Sequence, residues 1–306
     1  MLNLFLFAIG AGALALVIGA RRIKKWETLA PHDAQDGDFV SLADGARMHY
    51  TVRGDKGEDI ILIHGMLDST RNWEKNQADL ARTHRVWAVD LVGFGFSSRL
   101  TRAIYSLEYF ADTLRQFMDA HKIARANIVG HSLGGAVALE MATRFPNRVR
   151  KLVLINPAVY LLNYLPALNW AARIPLMPRA LVGFALTSRA MREFSYAHAL
   201  GDRARFDSAY AEWRRQPTRV RGTTDAMIAL VANWSRSDLP ARVHQVAAPT
   251  LILIGEKDAV VPPRHGARLA RAMKNAAIKI VPGAGHIAFE EVPTIVNREI
   301  REFLGA

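Results

Sequence analysis

The chain has no cysteine among its 306 residues, which excludes a disulfide framework, a thiolate metal site and a cysteine nucleophile. It also lacks an H-E-x-x-H motif, a Walker A loop and an intact G-x-G-x-x-G, since Gly93-Phe94-Gly95 is missing the third glycine. Nothing in it asks for a metal or a nucleotide, so no cofactor is expected. No internal repeat and no low-complexity tract is found. Acidic residues are the scarcer sign: 28 Asp and Glu stand against 40 Lys and Arg, for a formal net charge of +12. Such an excess invites nucleic acid, yet the arginines are scattered and the one tight cluster has another explanation, so no nucleic-acid partner is expected. What is abundant is apolar. Half of the chain is hydrophobic and 22% is charged, enough for a substantial core and incompatible with wholesale disorder.

Much of the apolar excess lies at the start. Leu2 to Ala20 is apolar except for Asn3, and Arg21, Arg22, Lys24 and Lys25 follow at once. As a helix this run spans about 28 Å, close to the ~30 Å hydrocarbon thickness of a bilayer. A cleavable signal peptide carries its positive charges before the apolar run, whereas here they come after it. The reading is therefore a single transmembrane anchor over 1–20, with the membrane as a partner and the rest of the chain on the cytoplasmic side. The basic cluster would meet anionic headgroups at about 1 kcal/mol per residue. The competing reading is an atypical signal peptide cut near Ala20, which would leave a periplasmic or secreted protein.

Residues 21–40 read as a juxtamembrane linker, polar from residue 26 onward. Beyond it, short apolar strands alternate with helical stretches. Phe39–Leu42 and Met48–Val52 flank a turn at Ala43-Asp44-Gly45 and predict a hairpin. Asp59–Ile63, Val86–Val89, Asn127–Val129, Leu152–Ile155, Pro249–Ile254 and Ile278–Val281 read as strands. Helices are expected over 71–81, 107–121 with Ser106 as N-cap, 133–144, 264–273 and 293–303. This alternation predicts an α/β fold, a mostly parallel sheet with helices on both faces. The rhythm stops between Asn156 and about Pro240, in a helical, Arg-rich stretch interrupted by prolines. The core is thus 41–156 and 241–306, and 157–240 is an inserted helical cap over the C-terminal edge of the sheet.

Gly130-His131-Ser132-Leu133-Gly134 is a G-x-S-x-G motif placed between a strand and a helix, the setting a nucleophile elbow requires. A serine nucleophile needs a base, and the base needs an orienting acid, expected in the chain order Ser, acid, His. Asp258 and His286 each follow a strand, at the same sheet edge as Ser132. Glu256 is the rival for the acid. The oxyanion hole needs two preorganised N–H donors: Leu133 supplies one, and Met66, in the loop after Ile63, is the choice for the other. His64 and His131 read as structural, and Asp90 with Gly93 and Gly95 as a supporting turn.

Together His64-Gly65-Met66, Asp90-Leu91-Val92-Gly93-Phe94-Gly95, Gly130-His131-Ser132-Leu133-Gly134-Gly135, Gly255-x-x-Asp258 and Gly285-His286 resemble the α/β-hydrolase superfamily over roughly 40–306. With an anchor in front, the chain resembles membrane-bound monoacylglycerol lipases and related bacterial lipases and esterases. The resemblance implies Ser132 as nucleophile, Asp258 as acid, His286 as base, and Met66 and Leu133 as oxyanion donors. It implies acyl transfer, with medium- to long-chain acyl esters such as monoacylglycerols as substrates. Cap residues including Tyr160, Leu161, Tyr164, Trp170, Phe184, Phe194 and Trp234, with Met177, Met191 and Met227, are the candidates for an acyl-chain tunnel, although most such side chains simply pack a cap on its core. Three alternatives stay open: a carbon–carbon bond hydrolase of the ring-cleavage type, a cofactor-free haloperoxidase or perhydrolase, and a binding protein on the hydrolase fold. Epoxide hydrolases and haloalkane dehalogenases place Asp where Ser132 stands and are rejected.

Overall fold

A computed structural model describes residues 19–160, 177–234 and 237–305. Eight strands form one sheet in the order β1-β2-β4-β3-β5-β6-β7-β8. The strands are β1 (Asp38–Ser41), β2 (Arg47–Arg53), β3 (Asp59–Ile63), β4 (Arg85–Val89), β5 (Ala126–His131), β6 (Val149–Ile155), β7 (Thr250–Gly255) and β8 (Ala276–Val281). The expected hairpin is present as β1 and β2, and β2 also runs antiparallel to β4. Every pairing from β4 through β3 to β8 is parallel.

The inner parallel strands are largely apolar on both faces because both are covered. Ile61, Ile63, Ile128, Leu152, Leu154 and Ile252 point to one core, and Ile60, Leu62, Val129, Val153, Leu251 and Leu253 to the other. Helices α2 (Leu107–Ala120), α3 (Leu133–Arg144) and α8 (Pro263–Ala272) cover the first face; α1 (Glu74–Leu80) and α9 (Pro293–Leu304) cover the second. Helix α2 shows why: Leu107, Phe110, Ala111, Leu114, Phe117 and Met118 form one buried stripe, and Ser106 Oγ caps its start by accepting from Tyr109 N–H. Burying each of the larger side chains contributes about 1.5–3 kcal/mol.

Helices α4 (Met177–Thr187), α5 (Arg189–Ala199), α6 (Ser208–Arg215) and α7 (Thr223–Trp234) lie between β6 and β7 as a helical insertion. Two differences from the sequence reading stand out. Strand β5 continues through Gly130 and His131, which pair with Leu154 and Ile155, so the motif begins inside the sheet. The expected linker is not free: Leu29 forms a parallel bridge with Val220 of the insertion. Among the described residues no helix is long and apolar enough to cross a membrane. The run expected as an anchor lies outside them except for Gly19 and Ala20, as do Leu161, Tyr164 and Trp170.

Candidate active site

At the end of β5 the chain turns directly into α3, and Ser132 occupies the corner with φ 53° and ψ −113°. An L-residue holds such a positive φ only under strain. The turn is tight enough to exclude side chains around it. A Cβ on Gly130 would lie 2.3 Å from the Gly134 carbonyl oxygen, and one on Gly134 would lie 2.2 Å from that of Ile63. The corner is pinned to β6 by Ser132 N–H donating to the Ile155 carbonyl at 3.0 Å.

The turns after β7 and β8 bring Asp258 and His286 to this corner. His286 Nε2 lies 3.0 Å from Ser132 Oγ, and His286 Nδ1 lies 2.8 Å from Asp258 Oδ2. All three residues are buried. The other Asp258 oxygen accepts from Val260 and Val261 N–H at 2.8 Å each, which fixes the carboxylate. In this arrangement Ser132 can pass its proton to His286 while Asp258 holds the ring's tautomer and orientation. The rival acid is occupied elsewhere: Glu256 Oε2 accepts from Gly283 N–H at 2.8 Å and shapes the His286 loop.

Met66 follows β3 and borders the cavity in front of Ser132, and Leu133 opens α3. Among the described residues neither backbone N–H donates to any group, so both remain available to a developing oxyanion. The Met66 loop is held from below. His64 donates through Nδ1 to the Gly65 carbonyl and accepts through Nε2 from Leu91 N–H. Asp90 accepts from Thr70 and Phe96 N–H and pairs with His49 Nδ1 at 2.7 Å. Burial works against charge on both members of that pair. Their mutual attraction prevails, holding the Asp90 carboxyl below its ordinary range and His49 above its own. His131 donates through Nε2 to the His286 carbonyl at 3.0 Å, and burial together with nearby His286 holds it well below the usual imidazole range. It is a neutral support under the base.

Several residues here carry no motif. Asn156, at φ 45°, donates to the Gly285 and His286 carbonyls and accepts from Gly255 N–H, tying together the ends of β6, β7 and β8. Glu291 accepts from Gly285 N–H on the base loop and from Gly201 N–H on the insertion. Over the site lies a cavity of about 160 Å³, bordered by Met66, Ser132, His286, Trp234, Arg214 and Arg215 among others. The two arginines differ sharply. Arg214 is buried between Asp68 (3.1 Å) and Glu290 (2.8 Å). Burial penalises the Asp68 charge, but Arg214 and Arg215 outweigh it and hold that carboxyl below its usual range. Arg215 is half-buried, and its guanidinium has no hydrogen-bond or ion-pair partner among the described residues. Of the cap side chains expected to line a tunnel, Trp234 borders the cavity, Tyr160 and Met227 pack into the core, and Phe184 and Phe194 face outward. Among the described residues no group of three or more His, Asp or Glu is arranged to hold a metal.

With this geometry in view, residues 60–293 match the family model described as the alpha/beta hydrolase fold. The chain is 31% identical to 2-hydroxy-6-oxo-2,4-heptadienoate hydrolase of Pseudomonas putida, over 82% of this chain and 90% of that protein. It is 31% identical to a putative carbamate hydrolase of Variovorax paradoxus, over 84% and 96%. A crystal structure of a meta-cleavage product hydrolase superposes with a TM-score of 0.73 at 26% identity, over 88% and 98%. The relatives named here are hydrolases other than monoacylglycerol lipases, so the family is shown and the specific resemblance to those lipases is not.

Proposed function

This chain belongs to the α/β-hydrolase family, and from that premise we propose a serine hydrolase that attacks a carbonyl of a small, carboxylate-bearing substrate, of the ring-cleavage oxo-dienoate class. The observation that carries the reading is Arg215, an unpaired guanidinium bordering the same cavity as Ser132. Asp68 and Glu290 offset part of the Arg215 charge from beyond ion-pair distance, but its hydrogen bonds are unmade, and guanidinium matches a ligand carboxylate in two parallel hydrogen bonds. Ser132 Oγ then adds to the ketone carbon while His286 takes its proton, and Met66 and Leu133 N–H hold the oxyanion. Collapse breaks the adjacent carbon–carbon bond. Cleavage proceeds from the keto tautomer of the substrate, in which the enol proton has already moved to the carbon beside the ketone. The electron pair then passes through the enone to the 2-oxo oxygen, and His286 returns the proton to that oxygen. Water, deprotonated by His286, releases the acyl group as an acid and restores Ser132.

The test is Arg215→Gln. Loss of a charge-assisted hydrogen bond worth about 1.5–3 kcal/mol corresponds to a fall of roughly 10- to 150-fold in kcat/KM on an oxo-dienoate. Turnover of a neutral ester such as p-nitrophenyl acetate should stay near the wild-type value. Equal losses on both substrates, or no wild-type turnover of oxo-dienoates, would reject the reading. A second reading, hydrolysis of medium- to long-chain acyl esters such as monoacylglycerols by the same triad, draws support from the exposed apolar side chains of the insertion. Turnover that rises with chain length and ignores Arg215→Gln would favour it.

A further inference from the structure

We propose that the outer face of the cap, built from α4, α5 and the basic segment 19–26, rests on an anionic lipid surface. Residues 19–26 are helical and pack on the cap. Ile23 is buried there, and Gly183 makes room for it: a Cβ at Gly183 would lie 2.6 Å from Ile23 Cδ1. The Trp26 ring centre lies 4.1 Å from the Arg192 guanidinium and 5.5 Å from that of Arg219. Glu27 accepts from Gly222 N–H, Thr224 N–H and Thr224 Oγ. Leu29 exchanges backbone hydrogen bonds with Arg219 and Arg221. The chain that precedes residue 19, apolar except for Asn3, therefore joins the molecule at the cap rather than at the sheet.

Around this attachment, apolar and cationic side chains are interleaved. On α4, Leu181 and Phe184 are 48% and 50% exposed at a spacing of three residues; on α5, Met191 and Phe194 are 36% and 60% exposed at the same spacing. The Arg22 guanidinium lies 5.8 Å from the Phe184 ring centre. Arg21, Arg22, Lys24 and Lys25 are all exposed and, among the described residues, form no ion pair. Large apolar side chains that enter the acyl boundary, flanked by cations at the phosphate level, are the chemistry of a surface resting on acidic lipid. A second copy of this chain is a poor occupant, because the face would meet its own four unpaired cations. Helix α5 also joins this face to the site: its residues Ser195 and Ala199 border the cavity of Ser132.

Because the chain has no cysteine, a single introduced one reports one position. The full chain bearing Phe184→Cys, Phe194→Cys or, as control, Lys274→Cys is labelled with a fluorophore and placed in phosphatidylcholine vesicles carrying a lipid-borne quencher, with and without phosphatidylserine. Lys274 precedes β8, at the sheet edge opposite the cap. Hydrolysis of p-nitrophenyl acetate checks that each variant is folded. The proposal expects labels at 184 and 194 to be quenched several-fold more than at 274, more strongly with phosphatidylserine. Replacing Arg21, Arg22, Lys24 and Lys25 by Gln should remove the lipid dependence. Equal quenching at all three positions overturns it, as does a protein that stays with the vesicles while 184 and 194 remain unquenched. Energy transfer between labelled copies, with no quenching by lipid, assigns the face to self-association and overturns it equally.

Discussion

Ser132 joins backbone strain to chemistry at a single residue. Its φ of 53° and ψ of −113° suit glycine and burden any side chain. Ser132→Gly should therefore be more stable than Ser132→Ala by about 1–3 kcal/mol in urea denaturation, with both variants inactive. Equal stability would show that the corner stores no strain. That Ser132, Asp258 and His286 would meet was legible because their types, order and strand-end positions form one pattern, and the structure brings the three together through hydrogen bonds of 2.8 and 3.0 Å. Arg215 was not legible. It is one of 40 basic residues and sits beside Arg214, and nothing local separates the paired arginine from the unpaired one. Their difference depends on Asp68 and Glu290, far away in sequence. Asn156 was hidden for the same reason, since its partners lie on two other strand ends.

At the scale of elements, the decisive contact is between cap and core. Arg214 on α6 reaches Asp68, after β3, and Glu290, before α9; Glu290 also accepts from Asn72 and Tyr210. Removing the cation leaves two buried carboxylates without their ion-paired partner and with only the more distant Arg215. Arg214→Met should cost about 3–5 kcal/mol of unfolding free energy, whereas Arg215→Gln, which breaks no internal pair, should stay within about 0.5 kcal/mol of wild type. Similar values for the two variants in denaturant titrations would contradict this division of labour. The central strands were readable because burial on both faces leaves continuous apolar runs, as in Ile60–Ile63. Strand β8 was read two residues short: Ala276 and Ala277 signal little, and an edge strand with an exposed face has a weak apolar pattern. The docking of residues 27–29 on the cap escaped the sequence reading because it rests on backbone pairing and on Glu27, neither of which has a period.

For the whole molecule, the excess positive charge of +12 finds two local expressions: one unpaired guanidinium in the cavity and a cluster of unpaired cations where the apolar N-terminal run joins the cap. In our proposals the first bears on what is cleaved and the second on where the hydrolase works. Both rest on one claim, that Ser132 is a nucleophile activated by His286 and Asp258. The most direct measurement is covalent labelling by a fluorophosphonate, read by peptide mass spectrometry. The account predicts one stoichiometric adduct on the peptide containing Ser132, none in Ser132→Ala, and labelling slowed by at least about 100-fold in His286→Ala. An adduct on a different residue, or labelling of Ser132→Ala at the wild-type rate, would contradict it.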